Sequence, residues 1–155
     1  MGAGPLNIRK CVTGLNAQRI STIAVDATVA EVMTLPDIAG WAYAAVAQTQ
    51  RDVTLSAEEG ATPIDIGVAP GETHFALWRL PPVEQGSNPA GMHSTNTIDY
   101  VVVLSGGVSM VMADGTEVTL HPGDCVVQNG TRHEWINRSG TDCTMAVFAV
   151  GVPRA

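Results

Sequence analysis

Three side chains in this 155-residue chain have the types and spacing to do chemistry: His93, Asp99 and His133. Two imidazoles and one carboxylate suit a transition metal that keeps coordination positions open. The same carboxylate can also serve as an acid or base with no metal. Thr95 lies between His93 and Asp99. A hydroxyl is a poor ligand beside an imidazole, so Thr95 is expected to hydrogen-bond a water or a substrate. Trp135 follows His133 by two residues and shares its face if the segment is extended. It either walls a pocket and stacks on a conjugated substrate or packs as core. Met110 and Met112 line an apolar cavity or fill the core. Gln128 and Asn137 are pocket polar groups or turn residues. His74 is either a third imidazole or an ordinary surface or core histidine, and His121, beside Pro122-Gly123, is read as solvated. Glu134 is expected to point outward by alternation.

Strands must position these residues. Ile98–Leu104 reads I-D-Y-V-V-V-L, and branched and aromatic residues at this density favour a pleated strand. Ser105-Gly106-Gly107 is a turn, and Val108–Met112 a second strand. Asp114-Gly115 suits a tight hairpin, where both central residues need positive φ. Further strands follow at Val118–Leu120, Cys125–Gln128, His133–Asn137 and Cys143–Val150, separated by His121-Pro122-Gly123-Asp124 and Asn129-Gly130. Short strands at this spacing, with no helical period between them, indicate a sandwich or barrel. Thr73–Leu80 is a strand stopped by Pro81-Pro82. Earlier strands are expected at residues 7–14, 19–25 and 41–49. A short helix capped by Thr28, with Glu31 as capping partner, is expected to end before Pro36. Residues 83–91 form a loop leading to His93 and are read as a lid beside a pocket mouth.

This arrangement resembles the cupins. Their first motif is written G-x5-H-x-H-x3,4-E-x6-G, and His93, Thr95, Asp99 and Gly106 keep that spacing from the first histidine onward. Their second ends in P-x-G-x2-H-x3-N, and Gly130-Thr131-Arg132-His133-Glu134-Trp135-Ile136-Asn137 keeps the G-x2-H-x3-N part. Sixteen residues separate Gly106 from Gly123, a spacer similar to that of small single-domain cupins. The chain departs from the motifs as well: Thr95 stands for the second histidine, Asp99 for the glutamate and Asn129, in a loop one residue shorter, for the proline, and the leading glycine is misplaced, with Gly86 and Gly91 nearby. Aspartate is shorter than glutamate by roughly 1.5 Å, so its strand must sit closer to reach a metal.

The resemblance implies an all-β, single-domain protein with a conical barrel over residues 70–151. Residues 1–69 would pack on the barrel or swap to a partner. It implies one divalent ion per subunit (iron, manganese, nickel or zinc), held by His93 and His133 with Asp99 completing the set. Thr95, Met110, Met112, Gln128 and Trp135 would line the substrate pocket, and Asp99 would be catalytic. Lyase or isomerase chemistry on a small oxygenated metabolite, aromatic and polyketide-like ones included, is the leading expectation. A non-haem iron dioxygenase and a non-catalytic binder are the alternatives, and a homodimer is the expected assembly.

Composition bounds these readings. Apolar residues make up 45% and charged residues 15%, which describes a packed domain and not a disordered chain. A net charge of −7 disfavours nucleic acid and anionic membranes as partners. No long apolar run or signal peptide is seen. Cys11, Cys125 and Cys143 are odd in number and widely spaced, so free thiols in a cytoplasmic protein are expected.

Overall fold

A computed structural model describes residues 7–30, 32–34, 42–47, 52–83 and 91–155. These contain thirteen strands: β1 Arg9–Leu15, β2 Ser21–Thr28, β3 Val32–Thr34, β4 Ala42–Ala44, β5 Pro63–Ile64, β6 Thr73–Leu80, β7 Ser94–Thr95, β8 Thr97–Ser105, β9 Val108–Met112, β10 Glu117–Leu120, β11 Cys125–Gln128, β12 His133–Ile136 and β13 Cys143–Gly151. The all-β expectation therefore holds. Among the described residues no helix is long and apolar enough to cross a membrane.

Two sheets carry most of the structure. The larger has the order β2-β1-β11-β8-β13-β6, and the smaller β10-β9-β12. Among the described residues they remain separate ladders and do not close into one continuous hydrogen-bonded barrel. β1 enters the larger sheet parallel to β11, with Cys11 opposite Val126, and β2 extends it antiparallel. The N-terminal hairpin thus adds to the sheet of its own chain.

The core lies between the two sheets because strand alternation sends every second residue inward. Val101 and Val103 of β8, Met145 and Val147 of β13 and Val126 of β11 meet Met110, Met112, Leu120 and Trp135 from the smaller sheet. A second cluster sits on the other face of the larger sheet, where Ile98 and Val127 pack with Leu55 and Val152. Cys11 and Cys143 are buried free thiols, and Cys125 is a half-buried one.

The expected helix from Thr28 is corrected. Thr28 ends β2, and Val32–Thr34 is a strand paired antiparallel with Ala42–Ala44. A cross-strand partner outweighs a local capping signal, a usual way for tertiary context to override propensity. Of the expected strand at 41–49, Ala42–Ala44 is strand and residues 45–47 are not, and residues 48 and 49 lie outside the described residues. Glu31, Trp41 and residues 84–90 of the expected lid lie outside the described residues.

Candidate active site

His93 and His133 face each other across an antiparallel bridge. Each backbone amide donates to the other's carbonyl, His93 N to His133 O at 2.9 Å and His133 N to His93 O at 2.8 Å. A directly opposed pair puts both side chains on one face. Their ring centroids are 4.6 Å apart, at a 55° tilt. The first motif's histidine therefore meets the second motif's, though thirty-nine residues separate them in the chain.

Hydrogen bonds orient both rings. His93 Nδ1 lies 3.0 Å from the Gly91 carbonyl and His133 Nδ1 lies 2.8 Å from the Thr131 carbonyl. In the tautomer where the ring N–H donates to the backbone carbonyl, Nε2 keeps its lone pair, the form in which a histidine takes a metal. Gln128 Nε2 also donates to the Thr131 carbonyl, at 2.6 Å, and to the Thr131 hydroxyl at 3.0 Å. The same Gln128 nitrogen lies 2.7 Å from His133 Nδ1; where the amide donates to that ring nitrogen, the ring proton sits on Nε2 instead. Burial pushes the His133 imidazole down to about 4, with the Thr131 carbonyl pulling weakly the other way. His133 is thus neutral at physiological pH.

Alternation along 93, 95, 97 and 99 brings Asp99 to the same interior. It is 4% exposed, and its Oδ1 has no hydrogen-bond partner. Burial pushes its carboxyl up to about 6, while the Thr97 hydroxyl and the nearby His93 act in the opposite direction. Gln128 sits directly across from Asp99 on β11, is fully buried, and leaves its Oε1 unpartnered.

The other expected site residues divide. Thr95 is buried and accepts a 2.8 Å hydrogen bond from the Thr97 hydroxyl, so its oxygen is engaged within the chain. Trp135 stands edge-on to His133, with ring centroids 5.8 Å apart, and also belongs to the core. Met110 and Met112 are core residues at 0% and 1% exposure. Asn137 is a turn residue: its Nδ2 donates to the Leu80 and Thr141 carbonyls, and its Oδ1 accepts from Ser139 N. His74 shares a row with Asp99 and Gln128 across the larger sheet, but Ala149 stands between it and Asp99, and it is exposed at the sheet edge.

The donor chemistry suits a divalent ion at two positions, His93 and His133. Their Nδ1 atoms are tied to carbonyls and their rings are close enough to share an ion. Among the described residues no three His, Cys, Asp or Glu side chains come together as a metal site. The shorter carboxylate remains nearby as an acid or base.

Several supporting residues are invisible to motif reading. Arg154 donates to the Thr95 carbonyl at 2.6 Å, the Gly130 carbonyl at 2.7 Å and the Ser56 carbonyl at 2.9 Å. It clamps the segments that carry both motifs. Gly130 has φ of 66°, and a Cβ there would lie 2.6 Å from the Thr95 carbonyl and the Leu55 side chain, so this junction admits only glycine. Glu58, buried and with its carboxyl raised by desolvation, accepts from Arg132 N at 2.5 Å, next to His133. Thr131 and Thr97 could have been read from their positions beside His133 and Thr95; Arg154 and Glu58 act over long sequence separations and leave no local signal. A groove of about 640 Å³ opens elsewhere, between residues 63–70 and the C-terminal tail. Its arginine is Arg154, already committed to carbonyls.

Residues 76–150 match the family model described as a cupin domain. The chain is 36% identical over 99 residues to phomopsin biosynthesis cluster protein C' of Diaporthe leptostromiformis, covering 64% of this chain and 50% of the relative. It is 43% identical over 49 residues to the cupin-domain-containing oxidoreductase fogC of Aspergillus ruber, covering 32% and 24%. The chain thus spans half or less of the length of these relatives. Among solved structures, a predicted oxalate decarboxylase of Thermotoga maritima aligns at 24% identity and a TM-score of 0.42, over 50% of this chain and 65% of that one.

Proposed function

We propose that this protein, whose residues 76–150 match the cupin-domain family model, is an enzyme of small-molecule metabolism in which Asp99 moves a proton on a small oxygenated substrate. The carrying observation is Asp99 itself, a buried carboxylate with a free oxygen and a pKa raised to about 6, beside a pair of imidazoles. A general base works best when its pKa lies near the operating pH. Asp99 would take a proton from a carbon next to a carbonyl, and the C–H electron pair would move onto the carbonyl oxygen. Return of the proton to a different carbon gives an isomerase. Departure of a leaving group from the neighbouring carbon gives a lyase. His93 and His133 would hold a divalent ion that polarises the substrate oxygen.

The test is solvent-deuterium exchange, followed by NMR, across a panel of small hydroxylated and aromatic ketones. Exchange is expected to rise with pH through about 6 and to disappear in Asp99→Asn. Exchange that survives in Asp99→Asn, or that no bound ketone shows, overturns the assignment. Metal content is measured in parallel. A stoichiometric ion lost in both His93→Ala and His133→Ala supports the histidine pair as ligands.

A second reading rests on the relatives' printed description as oxidoreductases. It makes the protein a non-haem iron oxygenase, and oxygen uptake with ferrous ion distinguishes it. For the assembly we propose a homodimer through the outer face of the larger sheet. Phe75, Leu77 and Phe148 stand there at 73%, 65% and 40% exposure, and β6 is the last strand of that sheet among the described residues.

A further inference from the structure

Polar atoms crowd around the Thr131 carbonyl. Gln128 Nε2 lies 2.6 Å from that oxygen, 3.0 Å from the Thr131 hydroxyl and 2.7 Å from His133 Nδ1. His133 Nδ1 lies 2.8 Å from the same carbonyl. The Gln128 nitrogen, the Thr131 carbonyl oxygen and His133 Nδ1 therefore close a triangle with every side at hydrogen-bond length. A hydrogen bond joins a donor to an acceptor, and a ring of three cannot alternate the two. One side must set like against like. All three residues are buried, so bulk water does not relieve the mismatch.

The position of the His133 ring proton decides which side that is. With the proton on Nδ1, the carbonyl accepts from both nitrogens, and two N–H donors stand 2.7 Å apart. With the proton on Nε2, the amide donates to a bare Nδ1, and the mismatch moves to Nδ1 and the carbonyl, two acceptors 2.8 Å apart. Turning the amide over would set two carbonyl oxygens 2.6 Å apart, on the shortest side of the triangle. The amide nitrogen thus faces the carbonyl, and the choice falls to His133. Both ring forms are neutral, so no proton is gained or lost. Without Gln128, the Thr131 carbonyl would hold the proton on Nδ1. Gln128 opposes that hold, because its N–H repels an Nδ1–H and favours a bare Nδ1.

We propose that Gln128 is a positioning residue that shifts the His133 ring proton from Nδ1 toward Nε2, and thereby loosens the hold of the His93–His133 pair on a divalent ion. The inference rests on the reading above that this pair is the ion site, and it adds the residue that tunes it. An ion needs the Nε2 lone pair and hence the Nδ1–H form. The Nε2–H form instead offers a substrate oxygen a hydrogen-bond donor. Gln128 keeps the two forms close in energy, so one ring serves either role.

Long-range proton–nitrogen NMR of the full chain, with labelled histidine, in EDTA and at neutral pH, reads the ring form directly. The His133 signals are those missing in His133→Ala. Gln128→Met keeps the length and removes the donor. In the parent, His133 Nδ1 is expected between the shifts of a protonated and a bare ring nitrogen; in Gln128→Met it is expected at the protonated end. Zinc titrated into chelator-free protein is expected to bind Gln128→Met about tenfold tighter than the parent, by calorimetry. Identical His133 spectra, or a variant shifted toward Nε2–H, overturn the proposal. So does zinc binding that is equal or weaker in the variant. If Gln128→Met does not fold, the parent spectrum decides: a fully protonated Nδ1 overturns the proposal, and an intermediate or bare one supports it. If neither protein binds zinc, the ion reading fails, while spectra that differ as expected keep the control of Gln128 over the ring.

Discussion

The interior has two ends built from the same strands. At one end Val103, Met110, Leu120 and Met145 are at most 1% exposed and bring no polar group that needs a partner. At the other, the same strands place Asp99, Gln128 and His133. On β8, two steps of two residues lead from Val103 through Val101 to Asp99; on β11 one such step leads from Val126 to Gln128; on β12 one leads from Trp135 to His133. Alternation alone positions both ends. They differ in what burial does. At the apolar end it releases free energy at about 25 cal/mol per Å² of apolar surface. At the polar end it leaves unpartnered oxygens and shifts the pKa values of Asp99 and His133 toward their uncharged forms. The fold is held by one end and strained by the other, as expected where binding groups must stay open for a ligand.

The strongest break in this comparison is Met145→Ala. Met145 is fully buried at the apolar end, and truncating it should cost about 2–5 kcal/mol through lost burial and an unfilled cavity. Denaturant titration should show a lower midpoint with an unchanged slope. A loss below about 1 kcal/mol would mean that the apolar end is not the stabilising half.

Asp99→Asn should act in the opposite direction. The unfolded carboxyl releases its proton near 3.8, while the folded one keeps it to about 6. Between those values the folded state binds more protons, so stability falls as pH rises. Above pH 6 the full cost applies, about 3 kcal/mol at 1.36 kcal/mol per pKa unit. Asparagine removes the ionisation, so the variant should be more stable than the parent at neutral pH. The difference should shrink toward zero near pH 4. Denaturant midpoints measured in EDTA across that range check the sign, and a variant less stable than the parent at pH 8 would contradict it. Greater stability with lost exchange is the signature expected of a functional group held at a structural cost.

The apolar end was easier to read from sequence than the polar one. The alternation of Val101 and Val103, the pair Met110 and Met112, and the apolar run from Cys143 announced strands and core together. His93 and His133 were legible through motif spacing, and the structure does bring them face to face. Spacing could not tell whether Asp99 is a ligand or stands apart, because that depends on strand separation and on a side chain one bond shorter than glutamate. Thr95 gave no hint that its oxygen would be taken up by Thr97. Arg154 was beyond local reading: its three carbonyl partners lie at 56, 95 and 130, gathered only by the folded topology. The helix expected from Thr28 failed for the same reason in reverse, since the partner strand Ala42–Ala44 carries no signal at Thr28 itself.

The smallest effect on chain stability is expected from the outer face of the larger sheet. Phe75 is 73% exposed and Leu77 65%, both on the edge strand β6, so they contribute little burial within one chain. Phe75 stacks loosely on Phe148, with centroids 6.5 Å apart. Beside them, a groove of about 370 Å³ lined by Tyr100, Val102, Ala146 and Phe148 continues the apolar surface. If a second copy covers this face, Phe75→Glu with Leu77→Glu should place two like charges on each side of a symmetric contact. Unfolding of dilute protein should then change by about 0.5 kcal/mol or less, the usual range for surface substitutions. Sedimentation should nonetheless shift from dimer to monomer. A dimer that persists in the double variant would place the contact elsewhere, and the apolar outer face would then need a different partner. A monomeric parent protein would remove the homodimer altogether while leaving both ends of the interior as described, because every contact that builds them lies within one chain.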